Sequence, residues 1–489
     1  MVKKDNKVVA PKEIKTKSVY DIAAYGYQVA SAYFAKYRLV SYIYDGMKPS
    51  YRRVIIGAYE VCPDKFVNTS TVTGYVLGRY HPHNLDVLDD VVAELVHAGI
   101  LLGDGEFGSK YLDGTSARAA ASRYTEIMLN PEYKKMFDKI LPYVPKIDGE
   151  KDHKEYAYIP MPLPFACNRG SFALGPGLSV NTPALTMSSM LDAYLRDDPN
   201  LLKSTYGYKI IDRKDSINRM WTQGKGSIYY ALKVTRKTLG DISGAMIEGS
   251  ADVFTPDLEK LDSWRKNGWV TINEVGSGGK SKLFVGRNKG VTQISENDIY
   301  NELLRVSVNR SMVLIKTIAP DGVVHPISLK TWIQESINNF IKLNEKYKNG
   351  KIKEIEHKIE LLKVLEKVKN CIIDHLKDPK FKVEDIAKTT GVEISLVKEI
   401  DKWSISKLRN TVPAKEIKKL EEELKKVKAL DSTKITYDFI RKVDVSEEEL
   451  SVATEKLQLE NSDEVEDVNL DDTDIDMFDE TDENVEEDD

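Results

Sequence analysis

The chain has few cysteines, no long apolar run and no loop built to cradle a nucleotide. Its 489 residues include three cysteines, Cys62, Cys167 and Cys371. They stand far apart, follow no metal-ligand spacing and form no even-numbered disulfide framework. A reduced, cytosolic setting is therefore expected. No apolar stretch reaches the roughly 18 residues of a membrane span. The first 17 residues are polar and lysine-rich, which excludes a secretory signal. No Walker-type phosphate loop occurs, so ATP hydrolysis is not expected of this chain. Hydrophobic residues still make up 41% of the sequence, enough for real cores, and the length suggests roughly two to four domains.

The formal charge of −6 hides a segregation. Residues 446–489 carry 21 acidic side chains and one lysine, Lys456; the rest holds 70 Lys and Arg against 56 Asp and Glu. A basic body with an acidic tail suits a polyanionic partner, and nucleic acid is the usual one. Charge alone is equally compatible with a solvated basic surface.

Five segments follow from composition and periodicity: a basic arm at 1–17, a compact mixed region at 18–146, an α+β region at 147–327, a helical region at 328–445 and the acidic tail at 446–489. Helices are expected over Ser18–Lys36, Lys48–Val61 and Leu85–His97. The charged run Ile147–Tyr156 reads as a linker or turn. Strands are expected at Trp269–Val275, Ser281–Val285 and Ser311–Thr317, between glycine-rich loops. Ile352, Ile355, Ile359 and Leu362, continued by Leu365, Val368, Ile372 and Leu376, recur at helical spacing. So do Ile417, Leu420, Leu424 and Val427. The pattern predicts two long amphipathic helices in an antiparallel coiled coil, the first stopped by Pro379 and the second opened by Pro413. The tail is too acidic and too poor in aromatics to build a core, so disorder is expected there.

Four short motifs carry chemistry. In Ala119-Ala-Ala-Ser-Arg-Tyr124, small residues allow close approach of another surface. Arg123 stands beside a tyrosine that is a poor nucleophile at its free pKa of about 10. A guanidinium there could stabilise both a phenolate and the phosphate it attacks; an isolated Arg-Tyr pair would more often be an ordinary surface feature. Upstream, Gly78-Arg79-Tyr80-His81-Pro82-His83 reads as a loop at a helix boundary, with no carboxylate or cysteine spaced to make the histidines a metal site. In Asp45-Gly-Met-Lys48-Pro-Ser-Tyr-Arg52-Arg53, cations crowd a helix N-terminus against its dipole. An anionic ligand would offset that cost, and phosphate is the natural one. Gly103-Asp-Gly-Glu-Phe-Gly-Ser109 is a glycine-rich turn between the histidine loop and Tyr124.

In this order and spacing, the four motifs resemble the DNA-cleavage domain of type IIA DNA topoisomerases. That family includes the gyrase A and topoisomerase IV A subunits and the medium subunit of T-even-like phage topoisomerases, which this chain resembles most. The resemblance implies a winged-helix domain around Tyr124, an α/β tower domain, and a coiled coil ending in a helical dimer gate. It implies Tyr124 as the nucleophile of a 5′-phosphotyrosyl link, with Arg123, Arg38 and His83 in the catalytic centre. Lys48, Arg52, Arg53, Arg79 and His81 would hold the DNA backbone. Leu174, in Ala173-Leu-Gly-Pro-Gly177, stands where the family inserts an isoleucine between base pairs, and an apolar wedge of that kind bends DNA. No metal ligand is expected in this chain. Mg²⁺ and ATP would be bound by a separate ATPase/Toprim subunit, in a heterotetramer or larger assembly built on a homodimer of this chain and acting on double-stranded DNA.

Several positions depart from the family pattern. Glu106 replaces the common Asn, Asn84 replaces a Gly, Leu174 replaces Ile, and Asp86 stands where bacterial gyrase has the serine linked to quinolone response. The acidic tail is too short and polar for the wrapping domain of gyrase A, so relaxation and decatenation are expected rather than supercoiling. Near the C-terminus, Ile405-Ser-Lys-Leu-Arg409 fits the approach to the returning helix of the coiled coil. Val383–Ile400, with Gly391 at its centre, also reads as a helix-turn-helix. A non-enzymatic DNA-binding protein is thus the alternative, but it would have no use for the Arg123-Tyr124 pair.

Overall fold

The computed structural model describes residues 18–110, 112, 116–151, 153–212, 215–249, 255–277, 280–377 and 383–444. The basic arm at 1–17, the helix stop expected at Pro379 and the acidic tail at 446–489 lie outside the described residues. Within them the chain is a mixed α and β, multidomain protein.

Helix α1, Val19–Phe34, starts where the Ser18 hydroxyl accepts the Asp21 amide, and none of its residues is buried. One π-helical turn, Ala35–Leu39, carries Arg38 and ends at the buried Val40. Next comes a tight strap closed by the buried Asp45, whose carboxylate accepts the amides of Met47 at 2.8 Å and Ile159 at 3.0 Å. Three helices follow: α2 Pro49–Val61, α3 Thr69–Arg79 and α4 Leu85–His97. Pro49 at the first turn of α2 needs no amide partner. The side chains of Asn68 and Asn84 cap α3 and α4.

Helix α4 buries Leu88, Val91, Val92 and Leu95, the i, i+3, i+4, i+7 stripe of an amphipathic helix. Strands β1 Val67–Asn68, β2 Leu101–Asp104, β3 Ser109–Lys110, β4 Ser116–Ala117 and β5 Glu126–Leu129 follow the helices or interleave with them. The sheet order is β1-β5-β2, and β3 pairs with β4 as a separate two-stranded arm. Val54, Val72, Val76, Leu101, Ile127 and Leu129 close the core between helices and sheet. Truncating Leu101, Ile127 or Leu129 to alanine would cost about 2–5 kcal/mol. Helix α5, Pro131–Ile140, is capped by Asn130.

The charged run expected as a linker is instead an antiparallel hairpin. β6 Lys146–Asp148 pairs with β7 Lys154–Tyr156, with Ile147 opposite Glu155. It carries Glu150 and Glu155 onto Arg53 of α2. Side-chain alternation could not reveal it, because the partners that fix it lie about a hundred residues away in sequence.

Among the described residues, the next region has two larger sheets and a short hairpin of Lys316–Ile318 with Val324–Pro326. In the first, β8 Ser171–Gly175, β9 Leu178–Thr182, β10 Lys209–Ile211, β11 Lys225–Ala231 and β16 Val308–Leu314 run in the order β10-β11-β16-β9-β8. In the second, β12 Lys233–Leu239, β13 Ile242–Gly249, β14 Val270–Ser277 and β15 Lys280–Arg287 run in the order β12-β13-β15-β14.

A 49-residue helix, Leu329–Lys377, then leaves the body. Helix Pro413–Lys428 returns along it. Lys369 donates to the Thr411 carbonyl, Lys428 pairs with Glu356, and Lys348 donates to the Leu430 carbonyl; the two helices are therefore antiparallel. Their far end has its own core, where Leu365, Val368 and Ile372 meet Ile386, Val397, Ile400 and Leu408. The helix-turn-helix pattern falls here as Val383–Thr390 and Ile394–Asp401 on either side of Gly391, and its apolar face is buried against the long helix. The chain then comes home. In helix Ser432–Val443, Ile440 enters the main core and Phe439 stacks on Phe340. Asp444 accepts the amides of Met187 and Ser188.

Candidate active site

Tyr124 sits on a tight turn in which its amide donates to the Ala121 carbonyl at 2.8 Å. Its side chain stays in solvent, at 69% exposure. The Arg123 guanidinium carbon lies 4.6 Å from the centre of the Tyr124 ring. The turn is held by backbone rather than by packing. The Thr69 amide donates to the Thr125 carbonyl at 2.8 Å and the Ser70 amide to the Ser122 carbonyl at 3.1 Å. The Asn68 side-chain amide donates to the Arg123 carbonyl at 2.8 Å. Asn68 thus caps α3 and ties the Arg-Tyr turn to the same helix end.

The glycine-rich turn lies alongside. The Ala120 amide donates to the Glu106 carbonyl at 2.8 Å. Gly108 has φ +90°, and a Cβ there would stand 3.0 Å from the Ala119 nitrogen. Only glycine fits both the conformation and the approach. The small residues before Tyr124 accordingly serve close packing of two loops.

A second cluster gathers Arg38, His81, His83 and Arg53. Arg38 Nη2 lies 3.1 Å from His83 Nδ1, and His83 Nε2 lies 3.1 Å from Glu150 Oε2. A guanidinium can only donate, so Nδ1 accepts and the proton of the neutral ring sits on Nε2, facing the carboxylate. Arg53 is 4% exposed. It donates from Nε and Nη2 to Glu155 at 2.9 and 3.1 Å, and from Nη1 to Glu150 at 2.7 Å. Its Nη1 also lies 3.2 Å from His81 Nδ1. The two imidazoles meet edge to face at 4.9 Å. Burial, and next the Arg53 charge, push the His81 pKa down to about 4, so this ring is neutral at pH 7. His81 is 6% exposed, and its Nε2 finds no hydrogen-bond partner among the described residues. Burial works to raise the Glu150 carboxyl, but hydrogen bonds from Tyr33 and Arg53 and the Arg53 charge outweigh it and bring its pKa to about 2.

The other residues singled out from the sequence are more dispersed. Arg52 donates to the carbonyls of Ala157 at 2.7 Å and Met47 at 3.3 Å and lies 3.5 Å from Asp45. Arg52 and Arg53, read as DNA contacts, thus direct donors to their own fold; Asp45, Glu150 and Glu155 balance the cations that crowd this helix start. Lys48 caps α2 without a side-chain hydrogen bond, and burial lowers its pKa. Arg79 is exposed and lies over the rings of Tyr75 and Tyr80. Leu174 projects from the β8–β9 hairpin at 69% exposure, beside a two-residue turn in which Gly177 takes φ +67°. Phe172 shares its face, also exposed.

Within the single chain, the Arg123-Tyr124 pair and the Arg38-His83-Arg53-His81 cluster form two separate sets. Among the described residues, no hydrogen bond or ring contact joins them. Sequence reasoning missed Glu150, Glu155, Tyr33 and Asn68; the clustering of acidic residues at 149–155 was the one available signal. No group of three or more His, Cys, Asp or Glu is gathered to hold a metal among the described residues. No helix among the described residues is long and apolar enough to cross a membrane.

The family model for the DNA gyrase/topoisomerase IV A-subunit matches residues 38–444. Among curated relatives, the DNA gyrase A-subunit of Clostridium acetobutylicum is 31% identical over 213 residues, covering 39% of this chain and 25% of that protein. The DNA topoisomerase 4 A-subunit of Neisseria gonorrhoeae is 27% identical over 218 residues, covering 40% and 28%. The DNA gyrase A-subunit of Rickettsia felis is 24% identical over 341 residues, covering 63% and 36%. The chain spans well under half the length of these relatives. The family match nonetheless takes in most of the chain and every candidate residue from Arg38 to Leu174, and the chain belongs to the DNA gyrase/topoisomerase IV A-subunit family.

Proposed function

We propose that this chain is the DNA-cleaving and religating subunit of an ATP-dependent type II DNA topoisomerase, with Tyr124 as its nucleophile. The observation that carries the reading is the exposed Tyr124 under the Arg123 guanidinium, on a turn fixed to the end of α3. Exposure leaves the phenol free to meet a duplex, and the clamp sets its approach in advance.

In the proposed reaction, Tyr124 Oη attacks a DNA backbone phosphorus in line. The Oη–P bond forms as the P–O3′ bond breaks. The phenol proton leaves Oη, and the departing O3′ takes up a proton. One phosphoester replaces another, so little free energy is lost. Phenolate is the better leaving group, which favours resealing. Arg123 would stabilise the phenolate and the equatorial phosphate charge. Both ring nitrogens of His83 are engaged, by Arg38 and Glu150. His83 then has neither a free acceptor for the phenol proton nor a free N–H for a phosphate oxygen, and it suits orienting Arg38 toward the phosphate instead.

The same reading assigns α2–α4 with β1-β5-β2 as a winged helix and the two-sheet region as the tower, with Leu174 as the DNA-bending wedge. The antiparallel helices would be a coiled coil leading to a dimer gate. The relatives carry the name of A-subunits, which supports a separate subunit bearing the ATPase and the Mg²⁺-binding acidic cluster. Two copies of this chain would then cut the two strands of one duplex.

The test is Tyr124→Phe in the assembly reconstituted with that partner and Mg²⁺. DNA binding should persist, and the denaturant-resistant protein–DNA adduct should vanish. An adduct that survives the substitution would sink the assignment.

A further inference from the structure

Glu150 was absorbed by neither the sequence motifs nor the proposed chemistry, yet three elements converge on it. Tyr33 of α1 donates its hydroxyl to Oε1 at 2.6 Å. Arg53 of α2 donates to Oε2 at 2.7 Å. His83 of the histidine loop meets Oε2 at 3.1 Å. Glu150 itself stands in the loop of the β6–β7 hairpin. Its side chain is mostly covered, at 12% exposure, so it works from behind the cluster rather than at a DNA-facing surface. Through His83 it also reaches Arg38, which sits at the end of α1 on the π-helical turn.

We infer that Glu150 is a positioning residue: it fixes the ring of His83, and through it the guanidinium of Arg38, in the orientation that receives the scissile phosphate. The inference rests on the proposed cleavage function. The geometry is specific. Glu155 already holds Arg53 through two of its nitrogens, so Glu150 is not needed to neutralise Arg53. What Glu150 alone supplies is an anionic acceptor for the Nε2 proton of His83. That contact fixes the tautomer, leaves Nδ1 as the acceptor for Arg38, and sets the plane of the ring. Without the carboxylate, the ring can turn or switch tautomer. A protonated Nδ1 would then face the Arg38 guanidinium, donor against donor, and Arg38 would swing away. An arginine held in one place can stabilise a transition state; one that must first be ordered cannot do so as well.

Glu150→Gln is the main variant, measured in the reconstituted assembly with a labelled duplex. The expected result is a fall of about 10- to 100-fold in the single-turnover cleavage rate. DNA affinity should change by less than about threefold, since most contacts to the phosphate backbone remain. Nitrogen-15 histidine NMR of the full chain supplies a readout that a purely structural role would not move. The chain has seven histidines, and His83→Asn identifies the His83 signal. In the wild type, His83 should show the single Nε2–H tautomer; in Glu150→Gln it should become a mixture. Tyr33→Phe removes one hydrogen bond from a half-open hydroxyl and leaves the charge in place, so it should slow cleavage by about two- to threefold without threatening the fold. Wild-type cleavage in Glu150→Gln would overturn the inference. So would a rate loss accompanied by an unchanged His83 tautomer. If Tyr124→Phe keeps its adduct, the cleavage function itself fails; a slow adduct in Glu150→Gln that still depends on Tyr124 leaves that function standing and isolates the role of Glu150.

Discussion

The Tyr124 turn and the Glu150 cluster are built in opposite ways. The turn is exposed, lined by alanines and glycines, and held almost entirely by backbone hydrogen bonds to the start of α3. The cluster is charged, covered at Arg53, His81 and Glu150 and open at Tyr33 and Arg38, and held side chain to side chain across α1, α2, the histidine loop and the β6–β7 hairpin. Under the proposed function the difference follows from what each would have to do. A nucleophile that meets DNA has to be open, so its position must come from the chain around it. Groups that present charge to a phosphate need fixed directions, and in a covered site that requires paired ions with every donor directed. A backbone clamp tolerates most changes of side chain around it, the Asn68 tether excepted; a charge network does not.

The contrast can be broken at three further points. The largest effect is expected from Asn68→Ala. It removes both the cap of α3 and the tether on the Arg123 carbonyl. Loss of the cap should cost about 1 kcal/mol of stability. The freed turn should slow cleavage by about tenfold or more, while the signals of His81 and His83 stay as they are. Cleavage at the wild-type rate, with the stability loss confirmed by denaturant titration, would show that the turn holds itself.

The second point is pH, and it should act on the cluster alone. His81 has its pKa depressed to about 4 from the ordinary 6.5. The unfolded chain therefore binds that proton more readily than the folded chain, and folding stability falls as pH drops from about 6.5 toward 4. Glu150, depressed to about 2 from 4.5, contributes stability that is full above about 4.5 and is lost as pH falls toward 2. Both act in the same direction in successive windows. Between pH 7 and pH 5 the His81 contribution should lower stability by on the order of 2 kcal/mol. His81→Asn, which keeps an acceptor for Arg53, should flatten that part of the curve. An identical slope in wild type and variant would mean that His81 is not held neutral by this site.

The smallest effect is expected at Leu174, away from both sets. Leu174→Ala should reduce the DNA bend seen by fluorescence energy transfer and cost on the order of 1 kcal/mol, or about fivefold, in cleavage. Affinity should barely move. A wild-type bend angle with an intact fold would remove the wedge role.

The sequence made one half of this comparison legible and hid the other. Tyr124, Arg123 and the glycine-rich turn lie close together in the chain, so the motif and its resemblance to the family could be read without any long-range contact. Helix α4 was equally plain, because Leu88, Val91, Val92 and Leu95 repeat at helical spacing. The cations at the start of α2 were also visible, but their partners were not. Arg53 looked like an unbalanced charge awaiting phosphate. Its balancing groups, Glu150 and Glu155, lie 97 and 102 residues away. They occur in a charged run whose side chains give no apolar alternation, so the hairpin there had no local signature. Long-range ion pairs leave no periodic trace, and only the three-dimensional contact reveals them.

The most direct measurement maps the covalent link itself. The reconstituted assembly is incubated with duplex and Mg²⁺, stopped with denaturant, digested with nuclease and protease, and read by mass spectrometry. The account predicts a nucleotide joined through its 5′ phosphate to the peptide containing Tyr124, and to no other tyrosine of the chain. A link at a different residue, or no link in an assembly that changes DNA topology, would contradict it.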